Sequence, residues 1–142
     1  VVFTSPPYFS VERYSYDDTQ SWVRYKDIEG WNRDFLQATL GKIWPSIKPG
    51  GHLLVNISDV YSGTKGVTKK GWLEICNPMN DYLSEIEGSE YMGCIGYQLA
   101  KRPNSGGAGT AKGYEDSKWT EKSLENKQDK KFGEPIWVWK KN

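Results

Sequence analysis

At 142 residues the chain has the length of one domain with a modest core. Its 19 Lys plus Arg against 18 Asp plus Glu leave a formal charge of +1, which excludes a strongly basic nucleic-acid coat but not a local basic patch. No apolar run approaches the roughly 20 residues of a bilayer-spanning helix, and Cys76 and Cys94 form no metal-type cluster, so the expected class is a globular, cytoplasmic protein with reduced thiols. Aromatic residues reach 14%, with seven Trp and nine Tyr, which suits both a core and a site that stacks flat ligands.

Val1-Val2-Phe3-Thr4 is apolar and β-branched, and two prolines end it, so the start reads as a buried strand of a parallel sheet. A strand already in progress without an initiator Met is expected of a piece of a longer reading frame. Residues 8–28 are polar and aromatic with no period, a long loop or short helical turns, and their length marks them for function. Over residues 29–47 the apolar positions Trp31, Phe35, Leu36, Leu40, Ile43, Trp44 and Ile47 make one buried stripe and predict a helix, with Trp31 and Trp44 in the core. Lys48-Pro49-Gly50-Gly51 stops it. Residues 52–57 (HLLVNI) predict a second buried strand, and strand, helix and strand make a right-handed βαβ unit.

The chain then loosens over residues 61–71. Asn77-Pro78 opens a helix predicted to run to about Glu87, with Met79, Tyr82, Leu83 and Ile86 facing inward. Residues 91–100 are apolar enough for a third strand. Residues 101–133 form a polar, low-complexity stretch expected to be a flexible loop. Residues 134–140 alternate as a strand that pairs antiparallel with the preceding one. No internal repeat is visible.

The chemical signal is Thr4-Ser5-Pro6-Pro7-Tyr8-Phe9. An exocyclic amine is a poor nucleophile because its lone pair is delocalised into the ring. A serine oxygen and a neighbouring carbonyl that accept both amino protons would localise that lone pair and aim it at a methyl donor. Two prolines fix φ and donate nothing, so the turn is rigid and its carbonyls are free to accept. A following aromatic ring offers a face to an extruded base. On this reading Ser5 Oγ and the Pro6 carbonyl orient the amine, Tyr8 stacks the base, and transfer is a direct in-line displacement. Phe9 is either a second contacting ring or packing at the sheet edge.

Ser5-Pro6-Pro7-Tyr8 at a strand end resembles the catalytic motif of the N4-cytosine and N6-adenine DNA methyltransferases. Its serine is similar to the N4-cytosine branch, since Asp or Asn is more usual for adenine. Ile47-Lys48-Pro49-Gly50-Gly51 and the run that follows resemble that family's next helix and strand. Residues 134–141 resemble its C-terminal strand, with the pattern E-x-hydrophobic-x-hydrophobic-x-K. The likeness covers the first 60 residues and the C-terminus well, and residues 61–130 poorly.

The resemblance implies an α/β fold, a partial Rossmann-like methyltransferase sheet. This chain would supply the fourth to seventh strands, the last reversed, and residues 1–142 would be the catalytic, target-base half of the domain. It implies S-adenosylmethionine as cofactor, beside Thr4 and Ser5, and DNA as partner with its base flipped out. Ser5, Pro6, Pro7 and Tyr8 would be catalytic, and Tyr8, Phe9, Asn56 and Asp59 would line the substrate. Asn56 and Asp59 stand at the carboxyl end of the second strand, where open α/β sheets place ligands. The family builds its cofactor pocket from a Gly-rich loop after the first strand and an acidic residue after the second. No G-x-G-x-x-G occurs here, and Gly106-Gly107-Ala108-Gly109 follows no apolar strand, so it reads as loop.

Other readings stay open. The chain could methylate RNA, for which Asn-Pro-Pro-Tyr is the more familiar form, or could be a binding module or inert remnant that catalyses nothing. Two copies could associate across an exposed sheet edge. Arg13, Arg24, Tyr25, Lys26 and Lys101-Arg102-Pro103-Asn104 are candidates for phosphate contact. Asp17 and Asp18 read as a solvated pair and His52 as structural, and no metal ligand set is expected.

Overall fold

In the computed structural model, which describes residues 1–7, 15–61, 72–98, 118–121 and 133–142, the apolar runs become strands and the long stripe becomes a helical rod. β1 (Val2–Thr4) is followed by one helical turn, α1 (Ser21–Arg24), and then by the rod. The rod begins as α2 (Ile28–Gly30), widens to a π-helix over Trp31–Gln37, returns to α-helix as α3 (Ala38–Ile43) and tightens to a 3-10 turn over Trp44–Ser46. Asp27 starts it, its carboxylate accepting from the Gly30 amide at 2.7 Å. A π-helix is bonded i→i+5, and the Ala38 amide donates to the Arg33 carbonyl accordingly. The wider pitch explains why Trp31 and Leu36, five positions apart, are both buried. The rod ends at Ser46, with Ile47 extended, and the turn into the next strand passes through Gly50 at φ +84°, a left-handed conformation that favours glycine.

β2 (His52–Asn56) lies parallel to β1, with Val2 opposite Leu53 and Thr4 opposite Val55. β3 (Val60–Tyr61) and β4 (Trp72–Leu73) form a separate antiparallel pair that brackets the stretch expected to be loose, residues 61–71. Two residues per strand carry too little alternation to be read from sequence. α4 (Cys76–Ser84) stops short of the predicted end, and β5 (Ser89–Gln98) starts two residues before the predicted strand. After a 3-10 turn (Lys118–Glu121), β6 (Gly133–Lys141) closes the chain. The main sheet has the order β1-β2-β6-β5, and β6 is antiparallel to both of its neighbours. β1, β2 and β5 therefore run one way and β6 alone is reversed: the fold is α/β with a mixed four-stranded sheet.

One sheet face carries the core. Leu53 stands opposite Trp139 and Val55 opposite Trp137, and all four are within 1% of full burial. Leu36, Leu40 and Trp44 of the rod and Met79 and Leu83 of α4 join them in one cluster. Each indole N–H finds an acceptor as it is buried: Trp137 donates to the Ile57 carbonyl and Trp139 to Asn80 Oδ1, both at 3.0 Å. β1 departs from expectation. It is an edge strand paired on one side only, and Phe3, alternating away from the core face, is 57% exposed.

Within residues 101–133, expected to be a flexible loop, the described 3-10 turn is pinned by Trp119. Its ring lies 5.0 Å from Tyr91 and 5.4 Å from Trp139, its indole N–H donates to Asp81 at 3.2 Å, and its carbonyl accepts from the Tyr91 hydroxyl at 2.6 Å. Among the described residues no helix is long and apolar enough to cross a membrane.

Candidate functional site

Because β1 and β2 are parallel and in register, their carboxyl ends finish together. Thr4 pairs with Val55, so Ser5 leaves the sheet beside Asn56, the last residue of β2, which still pairs with Ile136 of β6. Ser5 is exposed, Pro6 and Pro7 are half-buried, and no peptide bond among the described residues is cis. Tyr8 and Phe9, expected to stack the base, lie outside the described residues, as do Arg13, Lys101-Arg102-Pro103-Asn104 and Gly106-Gly107-Ala108-Gly109.

Buried polarity concentrates at this edge. Of the five buried polar residues described, Asn56, Ser58 and Asp59 fall within four positions at the end of β2. Polar side chains are costly to bury unless bonded, so such a cluster needs a reason. For Asp59 the reason is local. Its Oδ1 accepts from the amides of Ile75 and Cys76 at 2.8 and 2.9 Å, capping α4, whose own N-cap residue, Ile75, has no polar side chain. Burial raises the Asp59 carboxyl above its ordinary range, and the Cys76 and Ile75 amides oppose that rise.

The same peptide unit is held from its other side. The Asn32 amide donates to the Glu74 carbonyl at 2.8 Å while Asp59 takes the Ile75 N–H, so rod, hairpin and sheet end meet at the 74–75 peptide. Asn32 Oδ1 is buried without a partner among the described residues. Cys76 is buried beside Asp59, its thiol 3.5 Å from the Ile57 carbonyl, and burial first and the Asp59 charge second push its pKa well up, which keeps it a thiol.

The other expected residues are scattered. Trp31 and Trp44 are core, and His52 is half-buried at the opposite end of β2. Asp17 is exposed, and its Oδ1 accepts from the Thr19 amide and hydroxyl at 2.9 and 2.8 Å, which holds its carboxyl below the ordinary range. Arg24 and Lys26 are exposed, and Tyr25 is half-buried against Phe35. Ser58 and Asn32 were not singled out from sequence. Ser58 follows Asn56 by two on the same alternation, and Asn32 sits next to Trp31 and four from Leu36, signals that mark burial without chemistry.

Among the described residues no group of three or more His, Cys, Asp and Glu is placed to hold a metal ion. An open groove lined by Asp81, Ser84, Glu85, Lys118 and Trp119 lies at the other end of α4 from Asp59. No protein-family model, curated protein or solved structure matches this chain.

Proposed function

We propose that the chain is the target-base half of an S-adenosylmethionine-dependent DNA amino-methyltransferase, acting on cytosine N4 first and adenine N6 second. One observation carries the reading. The Ser5-Pro6-Pro7 turn leaves a parallel strand beside a neighbouring strand end rich in buried polar groups. The reversal of β6 alone supports it further, since the resemblance implies a partial Rossmann-like sheet with its final strand reversed.

In this reading Ser5 Oγ and the Pro6 carbonyl accept the two protons of the base amine, localise its lone pair and fix its direction. The Pro6 and Pro7 rings hold the acceptor pair rigid, with no amide to compete for it. Asn56 borders the base at the adjoining strand end. Asp59 acts through α4, as a positioning residue that fixes the floor of the site.

S-adenosylmethionine supplies the methyl group in this chemistry, and the described residues do not fit it. β1, β2 and β5 all have their carboxyl ends at this edge. The described segments there, Ser5-Pro6-Pro7 after β1 and Ile57-Ser58-Asp59 after β2, hold no glycine-rich turn to cradle the donor, and the residues that follow Gln98 of β5 lie outside the described ones. The chain's part is thus to hold the acceptor. That same observation favours a second reading, a base-binding module without activity of its own.

Incubation with methyl-tritiated S-adenosylmethionine and DNA, followed by nucleoside chromatography, separates the two. Label at the cytosine or adenine amine that Ser5→Ala abolishes supports the first. Absence of label from a chain that still binds deoxycytidine moves it to the second.

A further inference from the structure

Independently of that reading, we infer that the groove at the carboxyl end of α4 is a binding site for an alkylammonium group. The groove has a volume of about 620 Å³ and is lined by Asp81, Ser84, Glu85, Lys118 and Trp119. It already holds one such group, which belongs to the chain itself. The Lys118 ammonium lies 2.8 Å from Asp81 Oδ1 and 5.6 Å over the Trp119 ring, between a carboxylate and an aromatic face. Both attract an ammonium, the one by its charge and the other by the negative face of its ring.

Positive charge is short at this end of α4. The helix has no basic residue in its last turn, where its dipole and open carbonyls favour a cation. Asp81 and Glu85 stand there instead, four positions apart and so on one helix face, where like charges repel. Lys118 answers only one of them. Asp81 takes its ammonium, whereas Glu85 is exposed and has no salt bridge among the described residues. A second ammonium beside Glu85 relieves the repulsion and meets the helix end with the sign it favours.

The aromatic wall of the groove is fixed before any guest arrives. Trp119 packs on Tyr91 and Trp139 at 5.0 and 5.4 Å, its indole N–H donates to Asp81 at 3.2 Å, and its carbonyl accepts from the Tyr91 hydroxyl. A guest therefore has little but its own chain to order, and its methylenes gain an apolar surface to lie on. Free polyamines and the lysine side chains of other proteins share this chemistry.

Nitrogen-15 NMR of the full chain at low ionic strength tests the site, with cadaverine and Nα-acetyl-lysine methylamide as separate probes and sodium chloride at matched ionic strength as the control. Saturable shifts of the Trp119 indole N–H and the Ser84 and Glu85 amides at millimolar probe, absent with sodium chloride, are the expected result. Cadaverine binding roughly fivefold tighter than the lysine derivative points to a free polyamine, and equal affinities to a side chain. Glu85→Gln is expected to weaken binding roughly fivefold. Lys118→Gln is expected to strengthen it roughly threefold, because it frees Asp81 and removes a competing cation. Both positions are exposed, so an unchanged melting temperature reports that each variant is folded. Groove signals that move with neither probe, or move equally with sodium chloride, would overturn the inference, as would an affinity that Glu85→Gln and Lys118→Gln leave unchanged.

Discussion

The two ends of β2 are closed by different chemistry. At the His52 end the closure is mostly backbone: the Gly50 amide donates to the Lys141 carbonyl at 2.6 Å, and the Lys141 amide donates to the Gly51 carbonyl at 2.9 Å. The Lys141 ammonium then donates to the Trp44 carbonyl at 3.1 Å, where a helix terminus leaves acceptors open. At the Asn56 end the closure is made by buried side chains, Asn56, Ser58 and Asp59, one of them a carboxylate. An end that needs only to turn uses glycine and main chain. The end that buries polar side chains bears a desolvation cost, which Asp59 offsets by capping α4.

The largest expected effect breaks both ends alike. Trp139→Ala removes a side chain packed against Leu53, Tyr91 and Trp119 and leaves Asn80 Oδ1 without its donor, and urea denaturation should read a loss of about 3–5 kcal/mol.

The next effect belongs to the polar end. Asp59→Ala uncaps α4 and orphans two amides, for a loss of about 1–3 kcal/mol. Asp59→Asn keeps an acceptor but not the charge, which makes the comparison pH-dependent. A carboxyl raised by burial holds its proton in the folded state at pH values where the unfolded chain has lost it. Wild-type stability from this group is therefore full below the unfolded value of 3.8 and falls as pH rises through the folded value. Measured from pH 3.5 to 7, the Asn variant should gain on wild type as pH rises. A constant gap would contradict a raised Asp59.

The glycine end is tested by Gly50→Ala, which forces a side chain into a left-handed conformation at a cost of about 1–2 kcal/mol without touching the site. Ser5→Ala is the smallest. Ser5 is exposed, so stability should stay within about 0.5 kcal/mol in the same denaturation experiment.

Sequence revealed the frame of this fold because its signals were long. The stripe from Trp31 to Ile47 and the runs at 52–57 and 134–140 each span several turns or pleats, and the reversed pairing of the last strand followed from them. It did not reveal the π-helical pitch, since Trp31 and Leu36 read equally well as steps of a regular helix. It missed β3 and β4, whose two residues apiece show no period, and the Trp119 anchor, a single ring within a polar stretch. At the site, Ser5-Pro6-Pro7 and the carboxyl end of β2 were legible as neighbours because parallel strands end together. The role of Asp59 was not, because the helix it caps begins 17 residues later and only the tertiary fold brings its amides near.

The base-holding role proposed for the Ser5-Pro6-Pro7 turn is tested most directly by amide NMR on a nitrogen-15-labelled chain titrated with deoxycytidine. Saturable shifts at Ser5 and over residues 56–59, weakened in Ser5→Ala while Gly50 and Lys141 stay still, are the expected result. Shifts confined to other parts of the chain, or identical in wild type and Ser5→Ala, would contradict a base-holding role for the Ser5-Pro6-Pro7 turn.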